Sequence, residues 1–195
     1  GMNPIERIIK FSLNAGFKIE NIVVSTSTES SDIPLYEWCK KNNINCFRGD
    51  LNNVAKRFYD TAVFYNFRYA IRINADNVLV NEKLLKELKR IGIKYNFISN
   101  VPGRTFPYGM SLEMINISYM KKYLSKIYSK REFFEHIFSF FYEIESNNHY
   151  YIKNNKQVKK EYINMSLDTY DDFRRLEVFL SKKNNLKNLM KTINK

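Results

Sequence analysis

Tyr69-Ala-Ile-Arg-Ile-Asn-Ala-Asp-Asn-Val78 is the stretch on which the fold turns. A short apolar run breaks abruptly into a polar turn, the pattern of a buried strand with a loop at its carboxyl end. Upstream, residues 53–65 read as a helix and 44–48 as a strand. Asp32 reads as the cap of a helix that turns Leu35, Trp38 and Cys39 inward, and residues 21–26 as a β-branched strand. Before that, Asn3 is an N-cap with Pro4 at the first helical position; Ile5, Ile8, Ile9 and Leu13 share one face, and Gly16 closes the helix. Downstream, Asn81 caps a helix carrying Leu84, Leu85 and Leu88, and 96–99 is a further strand. Strands alternating with helices predict an α/β fold with a doubly wound, Rossmann-like parallel sheet. In such sheets ligands sit at the carboxyl ends of the strands.

After Ser99 the rhythm changes. Pro102-Gly-Arg104 reads as a loop, residues 106–115 as turn-rich and then extended, and 118–128 and 131–145 as two helices. A polar stretch over 146–160 precedes a strand near 162–167. Asp168-Thr-Tyr-Asp-Asp172 then opens a last amphipathic helix with Phe173, Leu176, Val178, Phe179 and Leu180. The expected organisation is one domain over residues 3–181 and a basic tail over 182–195.

Composition excludes several classes. With 195 residues, 44% of them hydrophobic and 27% charged, the chain can bury a core and is not a disordered polar tract. Two cysteines, Cys39 and Cys46, make no disulfide scaffold and no CxxC pair, and read as reduced thiols of a cytoplasmic protein. No run approaches the roughly 20 apolar residues of a membrane-spanning helix. The opening has no secretory pattern, and Gly1 before Met2 reads as a tag-cleavage scar. The net charge of +12 is compatible with nucleic acid. However, Lys outnumbers Arg about two to one, whereas base and phosphate readers favour Arg. Part of the excess also lies in Lys182, Lys183, Lys187, Lys191 and Lys195, so no nucleic-acid partner is expected and anionic small substrates are.

No GxxxxGK[ST], GxGxxG or HExxH occurs, and two histidines cannot build a three-His zinc site. Acids at strand ends remain. Asp76 is either a turn former or one of a pair of Mg²⁺ ligands; Asp168 is either the N-cap of the last helix or the other ligand. His136, next to Glu135, is either a core histidine or a functional one. Pro107-Tyr-Gly109 reads as an ordinary turn, Glu113 as an exposed strand residue, and Phe133, Phe134, Ile137, Phe138 and Phe141 as core or a homodimer face.

Taken in order, five blocks resemble one family. They are Asn3-Pro-Ile-Glu-Arg-Ile-Ile9 with the Ile-Val-Val-Ser-Thr-Ser strand that follows; Phe47-Arg-Gly-Asp-Leu-Asn-Asn-Val-Ala-Lys-Arg-Phe58; Ile71-Arg-Ile-Asn-Ala-Asp-Asn-Val-Leu-Val80; Phe106-Pro-Tyr-Gly-Met-Ser-Leu-Glu113 with the Arg131 to Tyr142 stretch; and Ser166-Leu-Asp-Thr-Tyr-Asp-Asp-Phe173. They look like sugar cytidylyltransferases of the acylneuraminate and spore-coat polysaccharide type, which have a nucleotide-diphospho-sugar transferase fold.

The resemblance implies transfer of CMP from CTP to a sugar or sugar acid for surface polysaccharide biosynthesis. It implies Mg²⁺ on Asp76 and Asp168, with Arg72 and Asp76 at the reacting phosphate. Gly109, Glu113, Glu135 and His136 would shape the acceptor pocket, and Asn53 and Arg57 would lie near the nucleotide. The family's first strand and its Arg-, Gly-, Ser- and Lys-rich phosphate loop have no counterpart here, so the expected sheet lacks its first strand and the chain is a truncated or degenerate member. Alternatives are a non-catalytic sugar-nucleotide or partner-binding module, and a glycosyltransferase using a nucleotide sugar.

Overall fold

The computed structural model describes residues 2–156, 158, 163–191 and 193; Gly1, part of the strand expected near 162–167, and the end of the basic tail lie outside the described residues. The order is α1 (Pro4–Asn14), β1 (Val23–Ser27), α2 (Ile33–Lys41), β2 (Asn45–Gly49), α3 (Val54–Phe64), β3 (Tyr69–Arg72), α4 (Glu82–Ile91), β4 (Phe97–Ser99), β5 (Glu113–Asn116), α5 (Ile117–Lys121), α6 (Leu124–Ser129), α7 (Glu132–Glu135), α8 (Ser139–Glu143), β6 (His149–Tyr151), α9 (Tyr170–Ser181) and α10 (Lys183–Lys191). Local chemistry fixes most helix starts. The side chains of Asn3, Asn53 and Asn81 each accept a backbone N–H from the first turn, at 2.7–2.8 Å, leaving fewer orphan donors there.

The architecture is α/β, with helices on both faces of a sheet. Strands β3-β5-β4-β6 form one four-stranded piece, and β1 and β2 a parallel pair. Within the larger piece β6 is parallel to β4, but β5 runs antiparallel between β3 and β4, so the sheet is mixed rather than all parallel. Side chains alternate across it, as the two-residue period of a strand requires. Ile98 and Met114 face a core with Leu85, Leu88, Leu112 and Leu176. Phe97 and Ile115 face a second core with Ala62, Ile127, Phe138 and Phe141. Every residue of β4 is buried.

Several sequence expectations change. The two helices expected over 118–128 and 131–145 are each broken, at Tyr123 and at His136, whose φ/ψ of −90°/64° is non-helical. Phe133, Ile137, Phe138, Phe140 and Phe141 are all buried. They are core, packed on Phe97 at ring separations of 5.4 Å for Phe138 and Phe141, whereas Phe134 is only half-buried. Strand β6 lies in the stretch that reads as merely polar. The strand expected near 162–167 is, among the described residues, a single bridge of Asn164 to Tyr108. In the tail, α10 forms and Leu189 is fully buried in the first core.

Asp32 starts α2 without a side-chain cap. Its Oδ2 instead accepts the Thr26 and Ser27 hydroxyls and the Ser27 amide at 2.6–2.9 Å, tying the helix to the end of β1. Those bonds, that of the Ser27 hydroxyl foremost, hold its pKa down from 3.8 to about 2. A folded-state value below the unfolded one adds stability above pH 3.8 and loses it as pH falls toward 2. Asp32→Asn is therefore expected to lower stability near neutral pH, with the gap to wild type closing between those two values. Urea unfolding of both proteins along an acid series checks this.

Candidate active site

Strand register assembles the site. Arg72, the last residue of β3, stands opposite Glu113, the first of β5, and Glu113 stands opposite Ser99, the last of β4. Three chemically distinct groups thus meet at the carboxyl ends of β3 and β4. Arg72 Nη1 lies 3.7 Å from Glu113 Oε2, with both side chains largely buried. The Tyr142 hydroxyl donates to Glu113 Oε1 at 2.5 Å. Its only proton being spent there, it accepts from the Ser99 hydroxyl at 2.8 Å, while Ser99 Oγ accepts the Val101 N–H at 3.0 Å. Burial raises the Glu113 carboxyl, against the Tyr142 hydrogen bond and the charges of Arg72, Arg104 and His136, which lower it. Glu113 is therefore a nearly buried acid rather than the exposed strand residue its alternation suggests.

The second centre is built from two loops. After β3 the chain turns through Asn74, whose carbonyl accepts the Asn77 N–H at 3.0 Å, and presents Asp76. The 163–168 segment is laid against that turn by backbone bonds. Tyr108 N donates to Ile163 O, Met165 N to Tyr108 O, and Leu167 N to Asp76 O, at 2.8, 3.1 and 3.2 Å. Arg175 of α9 holds the Asn164 carbonyl. Gly109 permits the approach: its φ is +86°, and a Cβ there would stand 2.2 Å from Met165 O.

Asp168 is not the cap of the last helix; Thr169 is, in a reciprocal capping box with Asp172. The Asp168 carboxylate is left at the site, where it accepts the Ser166 hydroxyl at 2.6 Å. The Asp76 carboxyl is raised, first by burial and then by the charge of Asp168, with Arg72 pulling the other way. Its Oδ1 is buried with no hydrogen-bond partner among the described residues. A buried carboxylate oxygen left unsatisfied beside a second carboxylate is a donor set that suits a hard cation such as Mg²⁺, which takes one or two carboxylates and completes its shell from water and phosphate.

Of the residues expected from sequence, Arg72, Asp76, Asp168, Glu113 and Gly109 come together, and Arg57 is close enough for its charge and that of Arg72 to oppose each other. His136 is exposed rather than a core residue, and its charge reaches Glu113. Glu135 is exposed at the end of α7. Asn53 caps α3 through its side-chain oxygen. Sequence reasoning missed Tyr142, Ser99 and Arg104. Arg104 lies over the Tyr108 ring at 4.4 Å, at the end of a turn in which it and Gly103 have φ of 46° and 75°. Pro102-Gly-Arg104 was the signal for that turn; nothing local marks Tyr142.

Comparison with known proteins gives a consistent result. Residues 4–192 match the Cytidylyltransferase family. An uncharacterized protein of Methanocaldococcus jannaschii is 28% identical over 175 residues, 89% of this chain and 71% of that protein. The solved structure of a cytidylyltransferase from Leptospira borgpetersenii serovar Hardjo-bovis (strain JB197) aligns with a TM-score of 0.76 at 27% identity, over 94% of this chain and 81% of that one.

Two substitutions test the construction. Gly109→Ala is expected to cost upwards of about 1 kcal/mol, since it adds both a strained φ and a backbone clash. Hydrogen exchange at Met165 and Leu167 should rise with it. Tyr142→Phe leaves Glu113 Oε1 without its donor and should cost about 1–3 kcal/mol in equilibrium unfolding. Pairing it with Glu113→Gln should recover part of that loss.

Proposed function

The chain belongs to the cytidylyltransferase family, and on that premise we propose that it transfers CMP from CTP to a hydroxyl of a sugar or sugar acid, with release of pyrophosphate, in the making of a surface polysaccharide. The observation that carries this reading is the unsatisfied Asp76 Oδ1 beside Asp168 and Arg72 at the strand ends. In the reaction the acceptor oxygen bonds to the α-phosphorus, the bond to the β-phosphate bridging oxygen breaks, and the acceptor's proton passes to a base or water. Such a transfer asks the protein mainly for positioning and for charge placed where charge accumulates.

Asp76 and Asp168 would hold Mg²⁺, which when bound offsets phosphate charge. Arg72, restrained by Glu113, points its remaining donors at the phosphate that reacts. Arg57 adds a second cation on the nucleotide side, where Asn53 fixes the start of α3. Glu113 accepts the acceptor's hydroxyl, and its bonds from Tyr142 and Arg72 keep that carboxylate in one orientation. Gly109, Glu135 and His136 border the acceptor. Both cysteines are free, which suits a reducing cytoplasm, and no helix among the described residues is long and apolar enough to cross a membrane.

The test has two parts. CTP with Mg²⁺ should raise the melting temperature more than ATP, GTP or UTP does, and sugar acids or sugars should elicit pyrophosphate release from CTP alone. Equal response to all four nucleotides, or a preference for intact nucleotide sugars, would refute the reading. Asp76→Asn separates charge from metal. Because the folded-state pKa of Asp76 is raised, its stabilising contribution belongs to low pH and is lost as pH rises through that value. Near neutral pH Asp76→Asn should therefore melt higher than wild type without metal, yet gain nothing from Mg²⁺ that stabilises wild type.

A further inference from the structure

Strand β2 ends the sheet on its own side. Among the described residues it pairs with β1 alone. None of its residues lines the cavity of about 760 Å³ that α1 and α3 enclose between β1 and β3. All five residues of β2 are half-buried, whereas every residue of β4, inside its own sheet, is buried. Alternation along the strand fixes which backbone groups the free edge carries. Thr28 N donates to Gly49 O at 3.0 Å, so the Gly49 carbonyl points toward β1. The backbone groups of Arg48 and Cys46 therefore point the opposite way, as the next-but-one pair in the strand. Tyr65 bears this out, for its hydroxyl meets Cys46 O at 3.5 Å from beyond the end of α3, the long limit of a hydrogen bond.

Edge strands are ordinarily guarded by lysine, proline, a bulge or a covering element. Asn45-Cys-Phe-Arg-Gly49 has neither lysine nor proline. Its one cation is turned back over its own sheet, where Arg48 donates to Ser27 O and Glu29 O at 3.0 and 2.9 Å and lies over the Tyr36 ring. The other face of β2 carries exposed aromatic surface. Phe47 packs on Phe64 at a ring separation of 5.7 Å and Phe64 on Tyr65 at 5.0 Å. Yet Phe64 is 68% exposed and Val63 beside it 49%. Apolar surface of this kind next to an open strand edge marks a contact with another chain.

The edge is complementary to itself. A two-fold axis through Phe47 sets two copies of β2 antiparallel, with Phe47 opposite its equivalent and Cys46 opposite Arg48 of the second copy. Those are the residues whose N–H and C=O point outward, so each of the two Cys46–Arg48 pairs exchanges both backbone bonds, displacing the long one from Tyr65. Phe47 falls at the non-hydrogen-bonded pair, where side chains lie closest, and both Phe64 rings come to the axis. No like charges stand opposite each other. Exposed Lys40 and Lys41 precede β2 and exposed Asp50 follows it, so antiparallel pairing brings the basic entry of one copy to the acidic exit of the other. We infer that β2 is the contact through which two copies of this chain join their sheets, as an isologous two-fold dimer. The same strand leads into Asp50, whose carbonyl holds Arg57 Nη1 at 2.7 Å, so the contact steadies the support of that cation. The inference rests on the strand edge, independent of which nucleotide the site takes.

Sedimentation of the chain over a concentration series is expected to show monomer passing into dimer. Exchange of the Cys46 and Arg48 amides should slow by at least about tenfold as dimer forms. Phe64→Lys, at an exposed position, should weaken the dimer at least about tenfold and leave urea unfolding of the monomer unchanged. Cross-linking reads the register, with Cys46 replaced by Ser so that only buried Cys39 remains of the native thiols. Phe47→Cys stands opposite itself and should give a disulfide-linked dimer, with glutathione disulfide as the oxidant. Asn45→Cys, about 13 Å along the strand from its equivalent, should not. A chain that stays monomeric throughout overturns the inference. So does a dimer that Phe64→Lys leaves intact, one in which Phe47→Cys fails to cross-link, or one in which Asn45→Cys cross-links equally.

Discussion

The carboxylate of Glu113 constrains the rest of the site. It is almost buried, and a buried charge persists only when it is paired and hydrogen-bonded. Arg72 and Tyr142 meet that need from two directions, one through the β3–β5 register and the other from α8. Because strand side chains have a period of two, a slip of one residue in β5 would turn Glu113 to the opposite layer and leave both partners without it. Met114 and Ile115 resist that slip, since each is committed to a different core. The antiparallel strand that departs from an all-parallel pattern is thus what brings the start of one strand to the ends of two others.

A second constraint is the contact between two loops distant in sequence. Asp76 and Asp168 repel, yet the backbone bond from Leu167 to Asp76 keeps their segments together. Gly109 makes that geometry possible on one side and Arg175 secures it on the other. The fold therefore holds two like charges close, with one oxygen unsatisfied, a local cost of the kind found where a ligand is to be bound.

Much of this was legible because short-range rules govern it. Asn3 and Asn81 cap the helices that their positions predict, and Tyr69 to Arg72 forms the strand that its apolar run predicts, whereas Asn53, expected near the nucleotide, also caps α3. Asp76 at a strand end and Asp168 ahead of a helix could be picked out, but capping chemistry alone did not separate Asp168 from Thr169, which are both good caps. What escaped depends on distance along the chain. Tyr142 is 29 residues from Glu113 and 43 from Ser99, and no local pattern announces such partners. Strand β6 is hidden in a polar stretch because its identity as a strand comes from β4, not from its own residues. The breaks at Tyr123 and His136 carry no helix-stop residue that the sequence could have shown.

The same division explains how a sheet can be open at its middle and still order the site. Strands β3, β5, β4 and β6 have a core on each face and are fixed by them. Strands β1 and β2 are held mainly through α2 and α3, and Asp32 ties the end of β1 to α2. The opening falls where neither group of contacts reaches, and among the described residues it leaves two strand edges without partners. Unpaired internal edges are templates for pairing, and proteins usually cover, charge or shorten them. Here they are instead enclosed between α1 and α3, which shields them from lateral association with flat sheets. The cavity ends at the turn bearing Asp76, since Arg72 to Ala75 line both.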